Sequence, residues 1–265
     1  MKKITIHRGN LEDIELPETI YKYRYWSNNN HKRFISKREV FLASPETFED
    51  NLDCKIPTRY DLLNDEQIYS YFYWISKREN ILFTKKQHEL FASKWAKETP
   101  IKDKDYAKKH MYSILKETIK RDGILSLTEV WDNDSMWEKY SDNGKGFCIG
   151  YDPKIMFKFL GGGSPVEYVK EIPKIFPEPI MEFVEAVRRR IYCKLEKWEF
   201  EKEYRTTTFW YSPPSIKERQ VILPKSAFKK IILGDNISTP DRKEIITNVE
   251  KYIGNIEIIE RKNAY

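Results

Sequence analysis

The residues best placed to do chemistry are Glu199, Glu201 and Glu203, which alternate with Phe200, Lys202 and Tyr204 ahead of Arg205. Extended backbone sends every second side chain to one face, so this spacing predicts a strand with an acidic row. Such a row is solvated when exposed. When buried, three like charges repel unless a cation or hydroxyl faces them. A glutamate with raised proton affinity acts as an acid or base, and an ionised one stabilises a developing oxocarbenium ion or accepts a bond from a ribose hydroxyl.

Two further clusters could share a site with it. In Tyr21-Lys22-Tyr23-Arg24-Tyr25-Trp26, Lys22 and Arg24 fall on one side of an extended chain and the tyrosines on the other. A guanidinium among aromatics suits a phosphate or carboxylate, because its planar fork donates two bonds. The following stretch, Phe41 to Asp53, holds Ser44, Asp50 and Asp53; the two aspartates read as turn or capping residues. In the second cluster Ser126 and Thr128 present hydroxyls to one face of an expected strand. Ser135 and Glu138 form an expected capping box, and Trp137 and Tyr140 offer an aromatic wall against which a planar ring can stack, or ordinary core. The four histidines lie apart and no zinc-spaced cluster, Walker loop or nucleophile elbow is present, so no metal is expected.

The elements that must position these residues follow from hydrophobic periodicity. Strands are expected near Ile4–His7, Val40–Ala43, Ile124–Thr128, Phe147–Tyr151, Val166–Val169, Tyr204–Trp210, Val221–Leu223, Ile231–Leu233 and Ile256–Ile259. Helical spacing appears in an insertion at about 62–120, from about Pro179 to Trp198, and from Thr239-Pro240-Asp241 onward, with Thr239 as the expected cap. Gly161-Gly162-Gly163-Ser164-Pro165 reads as a turn. The expected architecture is α+β: one domain over 1–265, a mixed or antiparallel central sheet with flanking helices, and the helical insertion.

Composition bounds the rest. A 40% hydrophobic and 14% aromatic chain of 265 residues can bury a core. Lys and Arg outnumber Asp and Glu by 47 to 41, which favours an anionic partner. Three scattered cysteines fit a reducing cytoplasm, and neither a signal peptide nor a spanning segment is readable, so no membrane partner is expected.

Taken in order, Tyr23-Arg24, Phe41 to Asp53, Met136-Trp137 through Tyr140, Gly146 to Gly150, Val166-Glu167-Tyr168 and Trp198 to Arg205 resemble the bacterial family known as domain of unknown function 2971. A weaker resemblance is to the arginine-serine-glutamate ADP-ribosyltransferases, which also carry an early Arg, a middle hydroxyl motif and a late Glu-x-Glu. That likeness implies an NAD-consuming transferase or toxin, and the family resemblance suggests a role in anti-phage defence. Carried over, Arg24 anchors the dinucleotide phosphates, with Tyr23 and Ser44 in the same cofactor-binding set. Ser126 and Thr128 support the nicotinamide pocket, Trp137 and Tyr140 stack, and Glu201 and Glu203 form the acidic pair with Glu203 catalytic. NAD is the implied substrate, a nucleic acid or protein the acceptor, and an antitoxin or regulatory protein a further partner.

Two other readings remain open from the residues alone. A metal-dependent nuclease or phosphodiesterase would use Asp50, Asp53, Glu201 and Glu203 as oxygen ligands. A non-enzymatic nucleic-acid or protein-binding module would use Arg188, Arg189, Arg190 and the lysines of 102–120.

Overall fold

Apolar runs rich in Ile, Val, Tyr and Phe form most of the strands of this computed structural model, which describes residues 3, 4, 12 and 14–261. The strands are β1 (Lys3–Ile4), β2 (Ile20–Tyr25), β3 (Glu39–Phe41), β4 (Asp122–Thr128), β5 (Gly146–Tyr151), β6 (Ser164–Pro165), β7 (Glu167–Val169), β8 (Cys193–Leu195), β9 (Glu203–Trp210), β10 (Gln220–Ile222), β11 (Phe228–Leu233) and β12 (Glu257–Glu260). The helices are α1 (Asn29–Ser36), α2 (Asp65–Glu79), α3 (Lys85–Glu98), α4 (Lys104–Arg121), α5 (Asp134–Tyr140), α6 (Pro153–Leu160), α7 (Phe183–Tyr192), α8 (Ile216–Arg219) and α9 (Thr239–Tyr252). The chain is therefore α+β, as expected. It divides into two units, the first formed by the described residues up to Ser44, Arg121–Tyr168 and those from Leu195 on, the second by Pro45–Lys120 and Val169–Lys194.

The first unit is built on a mixed sheet of order β1-β9-β4-β2-β5-β11-β12, with β6 also paired to β9. Every pairing is antiparallel except β11 with β12. Residues directly opposite each other share a face. On one face Phe147, Ile149, Leu125, Leu127 and Tyr204 form the main core with Phe34 and Ile35 of α1, Met156 and Phe157 of α6, and Ile245 and Val249 of α9. On the other, Tyr21, Tyr23, Cys148 and Ile232 pack against Met136 and Trp137 of α5. Both layers are apolar because strands covered on two sides must be, which is why β5 is buried at every position.

One pairing is incomplete. β2 runs beside β5 over six positions but meets β4 only at Tyr21 and Thr128. Beyond that point the Ser126 carbonyl accepts the Lys22 ammonium instead of a strand amide, and Ala43 pairs with Ile124. Close approach on the other side of β2 is enforced by Gly146, where an added Cβ would meet the Arg24 carbonyl oxygen at 2.1 Å.

The second unit contains α2, α3, α4 and α7, and the helical insertion expected at about 62–120 lies within it. Asn64 and Thr84 start α2 and α3 with complete capping boxes. Tyr60, Ile101, Ala107 and Met111 form one of its cores. No helix among the described residues is long and apolar enough to cross a membrane.

Several boundaries differ from expectation. The helix expected from Pro179 to Trp198 is confined to α7, and the chain then becomes extended in β8 before a 3-10 turn at Glu196–Glu201. The caps of α5 and α9 are Asn133 and Ser238, not Ser135 and Thr239, because their side-chain oxygens reach the amides of Met136 and Asp241. The glycine turn is as read: Gly161 ends α6 in the left-handed conformation. Of the strand expected at Ile4–His7, all but Ile4 lies outside the described residues.

Candidate functional site

The expected acidic strand is two structures. Glu199 and Glu201 lie in the 3-10 turn, Lys202 turns the backbone with φ of 39°, and the strand starts at Glu203. The three glutamates consequently do not form a row. Alternating Glu and aromatic residues fit an extended chain, yet Trp198 and Phe200 meet within this turn, with ring centroids 6.0 Å apart.

Each buried glutamate has its own partner. Glu203 lies opposite Thr128, and Arg205 opposite Ser126. Two residues apart on one strand, Glu203 and Arg205 share a face, and the guanidinium grips the carboxylate at 2.6 and 2.8 Å. Arg205 has no exposed surface, so this pair is a desolvated, bidentate ion pair. The Glu203 amide donates to the Tyr168 hydroxyl at 2.9 Å. Glu201, 4% exposed, accepts the Tyr140 hydroxyl at 2.7 Å.

The aromatic wall surrounds that second contact. Tyr23 meets Trp137 edge to face at 5.0 Å and donates to the Val130 carbonyl at 3.0 Å. Trp137 donates its indole N–H to the Trp131 carbonyl at 2.7 Å. Tyr140 and Phe200 pack on the same cluster. Tyr23, Trp137, Tyr140 and Glu201 are thus brought together. Thr128 caps the local turn by accepting the Val130 amide, and Ser126 lies on the Arg205 side. Ser44 is buried and follows Ala43, which pairs with Ile124, two residues along β4 from Ser126.

Arg24 occupies the opposite face. The registers place Glu203, Thr128 and Tyr21 on one side, whereas Arg24 lies opposite Phe147 of the main core. Its guanidinium sits 4.6 Å from the centre of the Phe34 ring and donates to the Tyr23 carbonyl at 3.0 Å, next to the incomplete β2–β4 pairing. Among the described residues it makes no ion pair, and its buried Nε has no acceptor. Burial lowers its proton affinity to about 10, against the opposing pull of the Tyr151, Tyr25 and Tyr140 phenols. Tyr151, fully buried, has no hydroxyl partner among the described residues. His31 beside it is pushed down to about 4 by burial and then by Arg24. The Tyr140 phenol is within electrostatic reach of Arg24, although it packs on the opposite face of the sheet.

A cavity of about 650 Å³ opens near the start of β9, lined by Leu16, Glu129, Ser164, Pro165 and Tyr204. Glu129 is held there by Lys202 at 3.4 Å.

Residues 136–206 match the model of a family described as a protein of unknown function, DUF2971. Over this stretch the chain is similar to that family. No curated protein and no solved structure matches the chain. The DUF2971 segment carries Trp137, Tyr140, Tyr168, Glu201, Glu203 and Arg205, whereas Arg24, Ser126 and Thr128 lie outside it. Sequence reasoning gave no role to Arg205, although its parity with Glu203 was a usable signal, nor to Tyr151 and Tyr168, for which no local signal exists.

Several residues of the alternative readings are engaged within the second unit. Asp53 faces Lys194 at 3.6 Å, and Asp50 accepts the Leu52 amide in a turn. Arg188 and Arg189 both bind Glu185, which they hold down at about 2.

Proposed function

We propose that the first unit is an NAD-dependent ADP-ribosyltransferase-like enzyme in which Arg24 receives the dinucleotide phosphates and Glu201, oriented by Tyr140, serves the transfer step. The observation that carries this reading is Arg24 itself. A guanidinium with a buried, unsatisfied donor and no acid partner is costly unless an anion supplies the missing acceptor. A pyrophosphate does so with the planar, two-bond geometry that arginine prefers.

In the reaction, the bond from the ribose C1′ to nicotinamide breaks and its electron pair leaves with nicotinamide. The acceptor oxygen or nitrogen attacks C1′, and its proton passes to Glu201. A carboxylate oriented by the Tyr140 hydroxyl also stabilises the oxocarbenium character that develops at C1′. Glu203 is assigned a supporting part, because its charge is already spent on Arg205. The Tyr23 and Trp137 rings wall the Tyr140 side.

The test is incubation of the purified chain with NAD labelled in its adenylate, reading free nicotinamide and label transferred to RNA, DNA or protein. Release that disappears in Glu201→Gln and survives in a Lys94→Gln control supports the proposal. Absence of release with every acceptor class, together with ADP-ribose affinity unchanged in Arg24→Gln, defeats it. A toxin acting in phage defence further requires that expression arrest growth and that Glu201→Gln relieve the arrest.

A further inference from the structure

In the second unit, the connection between α2 and α3 places two large aliphatic side chains in water. Ile81 is 80% and Leu82 is 92% exposed. Neither is there through looseness of the turn. Asn80 caps α2, the Phe83 amide donates to the Asn80 carbonyl at 2.9 Å, and Thr84 opens α3 with a reciprocal box to Gln87. Below the turn, buried Ser76 and His88 bond across the two helices at 2.8 Å. Phe83 folds back onto the His88 ring at 5.7 Å, and Tyr73 meets that ring from α2 at 5.9 Å. The hairpin therefore fixes its apex from within and directs Ile81 and Leu82 outward.

The charges around the apex are unbalanced. Lys77, Arg78, Lys85 and Lys86 flank it, with Glu79 and Glu89 as the nearby acids in the same two helices. Glu79 is taken by Arg78 at 3.1 Å and Glu89 by Lys85 at 3.9 Å. Lys77 and Lys86, both exposed, have no ion-pair partner among the described residues.

From this arrangement we infer that the α2–α3 apex is a peripheral docking point for an anionic lipid surface, with Ile81 and Leu82 entering the headgroup boundary and Lys77 and Lys86 meeting lipid phosphates. A convex apolar tip between cations needs no shaped pocket in its partner. A bilayer bearing anionic headgroups supplies apolar depth and negative charge together. This mode is distinct from spanning, which requires a long apolar helix. It is also independent of the proposed reaction, which uses residues of the first unit alone.

Co-sedimentation of the full chain tests it, using vesicles of equimolar phosphatidylglycerol and phosphatidylcholine against vesicles of phosphatidylcholine alone. Binding is expected to favour the anionic vesicles about tenfold or more and to fall as salt rises. Replacing Ile81 and Leu82 by Ser should abolish most of it, and Lys77→Glu with Lys86→Glu should weaken it about tenfold or more. All four sites are exposed, and an unchanged circular dichroism spectrum shows that the variants fold. Failure to bind the anionic vesicles overturns the inference, as does binding that the apex variants leave intact. Equal binding to both vesicle types overturns its electrostatic half. Self-association of the chain that disappears in Ile81→Ser/Leu82→Ser, without vesicle binding, would instead assign the apex to contact between copies.

Discussion

Arg24 and Arg205 stand on strands of one sheet, separated by β4, and differ in almost everything that decides the work of a buried cation. Arg205 is fully enclosed and holds Glu203 by two bonds. Arg24 lies over Phe34, retains an unsatisfied Nε and has phenols, a carbonyl and the His31 ring nearby. The first has spent its charge within the fold. The second makes no ion pair among the described residues, and its Nε has no acceptor there. Neighbouring residue types distinguished them poorly, because both follow a tyrosine in an aromatic stretch; the partner on the same face is what separates them.

The largest effect expected from this contrast is on stability. Glu203→Ala leaves Arg205 charged and buried, costing about 3–5 kcal/mol, whereas Arg24→Met removes an uncompensated donor and should cost less than about 1 kcal/mol or stabilise. Urea unfolding of both variants checks this. Equal losses would mean that Arg24 is a structural cation as well.

Binding should reverse the order. Arg24→Gln is expected to weaken ADP-ribose about tenfold or more by calorimetry, since a charged, two-bond contact is lost. Saturating ADP-ribose should raise the melting temperature of the unaltered chain by mass action but not that of the variant.

An intermediate effect concerns the two glutamates. Tyr140→Phe removes a hydrogen bond to a charged group and should cost about 1.5–3 kcal/mol. It should also slow nicotinamide release, while Glu201→Gln stops release with less loss of stability. If Glu203→Gln, provided that it folds, stops release while Glu201→Gln does not, the reacting residue is Glu203.

The smallest effect is on pH dependence. The His31 imidazole has its folded-state proton affinity lowered from 6.5 to about 4 by burial and the Arg24 charge. Between these values the unfolded chain binds the proton and the folded chain does not. Stability is thus steady above about pH 7 and falls as pH drops from 6.5 towards 4. His31→Asn should flatten that fall, measured by urea midpoints across the range. A phosphate bound at Arg24 should raise the His31 value and soften the same slope.

Much of the frame was legible in the chain. Nearly every expected strand is present, in the main sheet or in the two-stranded pairs β3–β10 and β7–β8, because alternation and short apolar runs are set by burial of strand faces. The helical insertion was readable because its apolar residues recur every three or four positions. The site was legible only in part. Parity placed Tyr23 and Arg24 on opposite sides, but parity alone could not say that Glu203 would take the Tyr23 side, since this depends on β2 pairing with β4 at Tyr21. The turn at Glu196–Glu201 was hidden because it hinges on Lys202 adopting positive φ, a conformation for which lysine gives no signal. The caps at Asn133 and Ser238 were missed because several adjacent residues could each cap.

The single contact between β2 and β4 also bears on motion. With one paired position joining them, β1-β9-β4 and β2-β5-β11-β12 are two hydrogen-bonded ribbons sharing a seam rather than one continuous lattice. Separation along a seam breaks few backbone bonds, so amides bordering it should exchange with deuterium through local opening, while those between β4 and β9 or β5 and β11 wait for larger unfolding. An anion on Arg24 would act as a staple across that seam, registering as slowed exchange in β2 and β4.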